Sequence, residues 1–484
     1  MRSRADLAML AAALALAGPG AGASERPHVP AGQQGSLYPQ TPAERGQGPL
    51  AEALGPARYI LDDIGESEEF RAAIRRAVGV HPALHQEISR RSEARGLIRM
   101  EQAALYPRLS ASLTGDYVLA RRFASATDNV VESLRPDGQL NAGLSVSQLV
   151  FDGGASFQRI KGARAHAREQ KETVSARINE LALSALSAYH DLATHQAILK
   201  LGEAFIARHE RLLADVEERA RLGAGARAEV MQAAARLAAA RARVSQIRES
   251  TRLAEIRYEE FFRIEPTLLA RPSFEAAAVG SRDEAAGLAL ARNPEIAAAA
   301  ARVDQAKAAW RAEKASRLPE VRTTVSAASF DVLDGGEDYD VRAGVNMNYD
   351  LYAGGARGLA IKRAGEIARQ QKFDEERVRR EIERDAEIAY ERREAAGERV
   401  AALADALVAN YAARDLIAER FRVARGDLID VLQAENDYFE AGVAYLAGLA
   451  DRDMASYALM EHTGDLLRFF SPRPDDAEAE GADD

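Results

Sequence analysis

The sequence predicts a mainly α-helical chain with a small β part: long antiparallel coiled-coil helices plus four alternating strands, the whole internally duplicated. Three observations predict it. The chain matches itself at two fixed offsets. Two very long stretches, about 155–222 and 356–424, contain no proline. Four stretches of about ten residues alternate apolar and polar side chains, the period of a strand with two different faces.

The duplication sets the frame, because a fixed internal offset means that one structural unit is used twice. His81-Pro82 falls on Asn293-Pro294 at an offset of 212, and Pro107 then falls on Pro319. Gly153-Gly154 falls on Gly354-Gly355 at an offset of 201. At that second offset Gly143 meets Gly344, Phe151 meets Tyr352, Tyr189 meets Tyr390 and Gly225 meets Gly426. Val230-Met231-Gln232-Ala233 likewise meets Val431-Leu432-Gln433-Ala434. The drop between offsets makes the loop at 119–140 longer by 11 residues than its counterpart. The repeats are read as 67–264 and 282–465, joined by a connector at 265–281.

In chain order, Met1–Ala23 has a basic start (Arg2, Arg4), an apolar core (Leu7–Ala17) and the small-residue ending Ala21-Gly22-Ala23. That is the pattern of a cleaved secretory signal. The next segment, 24–66, is a proline- and glycine-rich lead-in, read as extended or disordered through Pro56 and without chemistry. Each repeat then opens with a helix, about Ser67–Ala104 and Arg282–Ser316, that proline ends at Pro107 and Pro319.

The strands follow, as hairpins at about 107–151 and 319–352. In Leu109–Leu119, Ser110, Ser112, Thr114 and Asp116 take the polar side. Asn141, Gly143 and Ser145 do so in Leu140–Val146, and Arg322, Thr324 and Ser326 in Val321–Phe330. Arg342, Asn346, Asn348 and Asp350 do so in Val341–Leu351. Strands of this length fit a tilted crossing of a bilayer or a soluble antiparallel sheet with one wet face. Four strands do not close a barrel, so a membrane reading requires several chains to share one.

The long helices come next. At about 1.5 Å per residue each approaches ~100 Å, the length of a coiled coil rather than of a globular helix. Ile382, Ala386, Ala389, Ala396, Val400, Leu403, Leu407, Ile417 and Phe421 form a seam, broken at Arg393, Asn410 and Arg414. Glycine turns at 223–226 and 425–427 return the chain into helices at 227–262 and 428–463. The end, 466–484, is read as an acidic disordered tail.

Composition excludes several classes. The 484 residues include no cysteine, which rules out disulfides, a cysteine nucleophile and cysteine-type zinc sites. Mean hydropathy is −0.29, and no uninterrupted apolar run reaches the length of a membrane helix. Of the net charge of −10, the stretch 471–484 carries −5 and residues 1–23 carry +1, leaving −6. A mildly acidic body is not that of a nucleic-acid binder. His81 and His85 share a helical face without a third ligand, and His190 and His195 diverge. There is no His-Glu-x-x-His, no phosphate-binding loop and no Gly-x-Ser-x-Gly. Catalytic residues, cofactors and metals are therefore not expected, and the chain is not read as an enzyme. Trp310 is placed either at a membrane interface or within the helix layer.

Together the signal, the duplicated helix–hairpin–helix–turn–helix units and the two tips resemble the TolC-type outer-membrane channel proteins over about Ser67–Gly464. The tips are Arg221-Leu222-Gly223-Ala224-Gly225-Ala226-Arg227-Ala228-Glu229-Val230 and Arg422-Val423-Ala424-Arg425-Gly426-Asp427-Leu428-Ile429-Asp430-Val431-Leu432-Gln433-Ala434.

The resemblance implies a homotrimer in the outer membrane of a Gram-negative bacterium. Three chains would close a twelve-stranded barrel fed by a periplasmic helical tunnel. It implies that Ser110, Ser112, Thr114, Asp116, Asn141, Ser145, Arg322, Thr324, Ser326, Arg342, Asn346, Asn348 and Asp350 line the pore, with the apolar side on lipid. It implies that Arg221, Leu222, Gly223, Gly225, Arg422, Val423 and Gly426 meet a periplasmic adaptor. Ala424 departs from the glycine pattern and suggests a stiffer second tip. Asp415 and Glu419 become candidate gate acids, though they also read as ordinary solvated helix surface.

The implied activity is a passive exit duct of a tripartite system, for type I protein secretion or multidrug efflux. Its implied partners are a second and third copy of itself, an adaptor, an inner-membrane ABC or proton-driven transporter, and lipid. The missing lipidation cysteine leans toward secretion or a general-purpose duct. The rival reading is a soluble periplasmic coiled-coil adaptor or scaffold, which explains the helices but not four symmetric strands.

Overall fold

A computed structural model describes residues 48–61, 67–120, 122, 137–223, 225–272, 279–332, 338–423 and 425–470. The signal sequence, the first part of the lead-in, most of the loop at 119–140, Ala224, Ala424 and the chain after 470 lie outside the described residues.

The elements run α1 Pro49–Leu54, a 3-10 turn Gly55–Leu61, α2 Glu68–Gly79, α3 Pro82–Ala103, β1 Arg108–Tyr117, β2 Gly138–Phe151, α4 Ala155–Arg221 and α5 Arg227–Phe262. The second half runs α6 Arg282–Arg292, α7 Pro294–Ala315, β3 Glu320–Ser329, β4 Tyr339–Asn348, α8 Ala356–Arg422, α9 Leu428–His462 and α10 Leu466–Phe469. Both sequence offsets reappear as element boundaries. The starts of α3 and α7, and of β1 and β3, differ by 212; the starts of β2 and β4, α4 and α8, and α5 and α9 differ by 201. Twenty residues separate β1 from β2 and nine separate β3 from β4, which is the expected excess.

One correction concerns the opening helix of each repeat, expected as continuous. It is two helices, broken before Pro82 and before Pro294. Proline has no N–H to continue the ladder, and its ring meets the carbonyl four residues back, so it opens a new helix instead. Ser67 and Ser281 cap the first member of each pair, accepting from the N–H groups of Phe70 (3.2 Å) and Glu284 (3.1 Å).

The chain divides into two compact units. One comprises residues 87–173 and 295–378 and holds the sheet. Its four strands are antiparallel in the order β1-β2-β3-β4. Within this unit Trp310 packs in the helix layer. Lys314 Nζ lies 3.6 Å from the ring centroid, and the indole lies against Gly365, where an added Cβ would come within 3.2 Å of Nε1.

The other unit comprises the described residues of 1–86, 174–294 and 379–484 and holds the coil. The seam read from α8 is largely buried: Ile382, Ala386, Ala389, Ala396, Val400, Leu407 and Phe421 are sealed, and Leu403 and Ile417 are half-buried. The alanines allow the close approach that α9 completes with glycine. A Cβ at Gly442 would lie 2.5 Å from Leu201 Cδ2, and one at Gly448 would lie 2.7 Å from Leu403 Cδ1. The two leucines come from α4 and α8, so one helix accepts a knob from each repeat.

The breaks in the seam are not gaps. The Arg393 guanidinium donates to Val279 O at 3.0 Å, and the Asn410 amide donates to Ala406 O at 2.8 Å. Arg414 is buried between two aromatic rings, 4.6 Å from the Tyr411 centroid and 4.3 Å from that of Tyr438.

The two ends also differ from expectation. The lead-in is helical from Pro49, and Ala53, Leu54 and Ala57 are fully buried. The tail expected from 466 is still packed there. Leu466 is fully buried, and Phe470 is buried with its carbonyl accepting from Arg75 at 3.3 Å. In both places a few apolar residues inside a polar, proline-rich or acidic context find a surface to cover, and composition averages them away.

Candidate functional site: the polar sheet face and the helix tips

Residues paired across an antiparallel sheet point to the same side, so the strand register decides which side chains share a face. Ser110 pairs with Ser145, Ser145 with Ser326, and Ser326 with Arg342. One level along, Ser112 pairs with Gly143, Gly143 with Ala328 and Ala328 with Asp340. Thr114 faces Asn141, Asp116 faces Gln139, Thr324 faces Gly344, Arg322 faces Asn346 and Glu320 faces Asn348. Every strand residue read as polar-side therefore lies on one face of one sheet. Side-chain contacts agree: the Ser110 and Ser145 hydroxyls are 3.3 Å apart, and the Asn346 amide donates to Thr324 Oγ1 at 3.4 Å. Asp350 lies just beyond β4 and is paired with Arg357.

The sequence reading missed Arg108, Gln139, Ser147, Glu320 and Asp340 on this face, although carrying the same alternation a step further would have found them. Two of them matter electrostatically. Glu320 pairs with Arg322 and Asp340 with Arg342, so each of these two arginines stands beside a carboxylate two residues away on its own strand.

The opposite face is apolar and bare in the isolated chain. Leu109, Leu113, Val341, Val345 and Met347 are 62–69% exposed, and Leu144 and Val325 are about half exposed. Tyr117 and Tyr339 stand at one end of the strands, and Tyr106, Phe151, Tyr349 and Tyr352 at the other; all six are exposed. β1 and β4 each have one edge without a strand partner among the described residues.

The tips belong to the coil unit. Gly223 is left-handed (φ +77°), the conformation that ends a helix without a Cβ penalty. Gly225 and Gly426 sit in close turns: an added Cβ would meet Ala220 N at 3.2 Å or Phe421 N at 3.4 Å. Arg221, Leu222, Gly223, Arg422 and Val423 are exposed. The tips touch through a residue the sequence did not single out. The Arg219 guanidinium lies 4.2 Å over the Phe421 ring and donates to Phe421 O at 3.1 Å. Beneath them Val216, Ala233, Phe421, Leu428, Val431 and Leu432 form a small core.

Both candidate gate acids face solvent beside an arginine of their own helix. Asp415 pairs with Arg414 at 2.5 Å and Glu419 with Arg422 at 2.8 Å. Arg414 also approaches Glu435, which lies 3.0 Å from Arg208 Nε. Burial pushes the Glu435 carboxyl up, against the pull of Arg208 and Arg414.

A second charged cluster was not legible in the sequence. Arg271 of the connector pairs with Asp453 of α9, and His190 Nδ1 lies 3.9 Å from Asp453. Burial alone would raise Asp453, but the Arg271 charge and hydrogen bonds hold it below the carboxylate range. Burial lowers His190 to about 4. Among the described residues no group of three histidine, aspartate or glutamate side chains is placed to hold a metal, and no helix is long and apolar enough to cross a membrane.

The chain matches the family described as outer membrane efflux protein over residues 73–259 and 285–465, once in each repeat. It is 28% identical over 355 residues to the outer membrane efflux protein BepC of Brucella suis biovar 1, covering 73% of this chain and 76% of that protein. Its fold is similar to that of the outer membrane protein VceC from Vibrio cholerae, with a TM-score of 0.71 and 18% identity over 85% of this chain and 98% of that one. It is also similar to the CmeC outer membrane channel of Campylobacter jejuni, with a TM-score of 0.72 and 13% identity over 96% of this chain and 97% of that one. At those identities the structural likeness concerns the fold alone.

Proposed function

The chain belongs to the outer membrane efflux protein family, and from that premise we propose that it is the passive exit duct of a tripartite export system. A member of this family is an efflux channel of the Gram-negative outer membrane, a transport duct rather than an enzyme. The observation that carries the finer reading is the sheet: one polar face, one exposed apolar face and two open edges in a single chain. Exposed strand edges and a bare apolar face are both unstable in water. Three copies joined edge to edge, β1 of one to β4 of the next, remove every edge and place the apolar faces on lipid. The polar faces then line a water-filled pore, and the aromatic side chains at the two strand ends lie at the two membrane interfaces.

In this reading the tips engage a periplasmic adaptor through Arg221, Leu222, Gly223, Gly225, Arg422, Val423 and Gly426. Exposure of Leu222 and Val423 at the turns supports it. Energy comes from an inner-membrane ABC or proton-driven transporter. The cargo is secreted protein or small molecules such as drugs. The soluble-adaptor reading leaves the bare apolar sheet face without a partner and is not favoured.

The mature protein, purified in detergent, is expected to migrate as a heat-modifiable trimer and to form uniform channels in planar bilayers. A protein that is monodisperse without detergent and gives no conductance would overturn the duct. Gene deletion, assayed for both protein secretion and drug sensitivity, assigns the cargo.

A further inference from the structure

Tyr438 of α9 is a meeting point of four chain segments in the coil unit. Its ring carries the guanidinium of Arg208 from α4 at 4.8 Å and that of Arg414 from α8 at 4.3 Å. Its hydroxyl donates to Ala53 O, in α1, at 2.6 Å. Tyr438 is 1% exposed, so the hydroxyl depends on that carbonyl for its partner.

The segment that supplies the carbonyl, Pro49–Leu61, is one short helix and a 3-10 turn. So small a piece does not bury its own side chains. Yet Ala53, Leu54 and Ala57 are fully buried, Ile60 is 3% exposed and Ala51 4%. They are covered by the rest of the unit, and the segment in turn covers the Tyr438 site. Beneath it lies a charged group dense in unmet polar atoms. Arg208 Nε pairs with Glu435 Oε2 at 3.0 Å, while Arg208 Nη2 and Arg414 Nη1 have no hydrogen-bond partner among the described residues. A buried ionic cluster of this kind loses most when water or a loosened neighbour disturbs it. The segment also lies outside both stretches that match the family, 73–259 and 285–465.

We propose that Pro49–Leu61 is a strap that holds α4, α8 and α9 together near the tips by sealing Tyr438 and the Arg208–Arg414–Glu435 cluster. Release of the strap frees the last turns of α8, which carry Asp415 and Glu419, to move relative to α9. The strap is thus an intramolecular restraint on the tip end of the coil. This goes beyond the duct reading and does not depend on it.

Hydrogen exchange on the purified, detergent-solubilised full mature protein tests it. Leu54→Asp unseats the strap by burying a charge. Tyr438→Phe removes only the hydroxyl and leaves the ring under both guanidinium groups. In each variant the strap peptide over 49–61 and the α8 peptide over 405–422 are expected to exchange faster together, by about fivefold or more. The peptide over 155–170 is expected to stay unchanged. Faster exchange in 49–61 with 405–422 unmoved would show that the strap restrains nothing. No change at either peptide in Tyr438→Phe would remove the hydroxyl as its fastening. Should Leu54→Asp not fold, Tyr438→Phe decides the matter alone.

Discussion

Arg271 and Asp453 form a two-point ion pair, guanidinium to carboxylate, although 182 residues separate them. They are 8% and 4% exposed. Arg271 lies in the connector between the repeats, so the pair fastens that connector to the last long helix. Tyr189 reinforces it by donating to Ala270 O at 2.8 Å; the Gln196 side-chain amide donates to Thr267 O, and its Oε1 accepts from the Leu269 N–H, both at 2.9 Å.

Breaking one partner of a buried pair leaves the other charge uncompensated, which costs about 3–5 kcal/mol. Asp453→Asn is therefore expected to lower the melting temperature of the detergent-solubilised protein by several degrees. Replacing both, Arg271→Met with Asp453→Leu, is expected to recover more than half of the loss. A single variant that melts as the wild type would show that the pair does not fasten the connector.

The same cluster predicts acid lability with a definite sign. His190 is lowered from 6.5 to about 4, so below pH 6.5 the unfolded chain takes up a proton that the folded chain refuses. Its contribution to stability is present above pH 6.5 and is lost as pH falls toward 4, by roughly 3 kcal/mol in all. Asp453, held below its ordinary value, adds a second loss that begins below the unfolded carboxylate value near 3.8. His190→Gln is expected to flatten the melting-temperature profile between pH 6.5 and 4.5. An unchanged slope in that variant would move the titration elsewhere.

What the sequence disclosed and what it hid divide along a physical line. Regular features were legible because each is a local rule repeated many times. The offsets of 212 and 201, the α8 seam and the strand alternation each rest on many residues, so single exceptions do not blur them. Pairings between distant residues leave no local trace: nothing near Arg271 marks Asp453, and nothing near Ala53 marks Tyr438. Intermediate cases had a signal that was read for another purpose. His81-Pro82 and Asn293-Pro294 served to align the repeats, while the same prolines also mark the helix breaks. Arg393 and Arg414 interrupt the seam because each leaves it for a partner, Val279 O in one case and the Tyr411 and Tyr438 rings in the other. The polar face was legible residue by residue. That it is one surface followed only from the register.

Asp415 tests the candidate gate. Its carboxylate is half exposed and already paired with Arg414, so its charge is partly offset within the chain. If three copies converge at the tip, the exposed half of each carboxylate presents a cation-binding ring. Asp415→Ala is then expected to raise single-channel conductance and to weaken block by divalent cations. Unchanged conductance together with unchanged block would remove Asp415 from the constriction and leave it as solvated helix surface.

The two faces of β4 give the sharpest test of the membrane reading, because adjacent residues predict opposite outcomes. Val345 is 69% exposed on the apolar face, and Asn346 is its neighbour on the polar face, opposite Arg322. An arginine in the middle of a lipid-facing strand costs about 2–4 kcal/mol, whereas a lumen-facing one stays in water. In the proposed trimer each substitution occurs three times around the barrel, so the lipid-face cost is multiplied by three. Val345→Arg is therefore expected to deplete the folded trimer from outer-membrane extracts. Asn346→Arg is expected to assemble normally and to shift ion selectivity toward anions, since Glu320 already neutralises Arg322 and leaves the added charge uncompensated. Equal tolerance of both substitutions, or depletion by Asn346→Arg alone, would reverse the assignment of lipid and lumen faces.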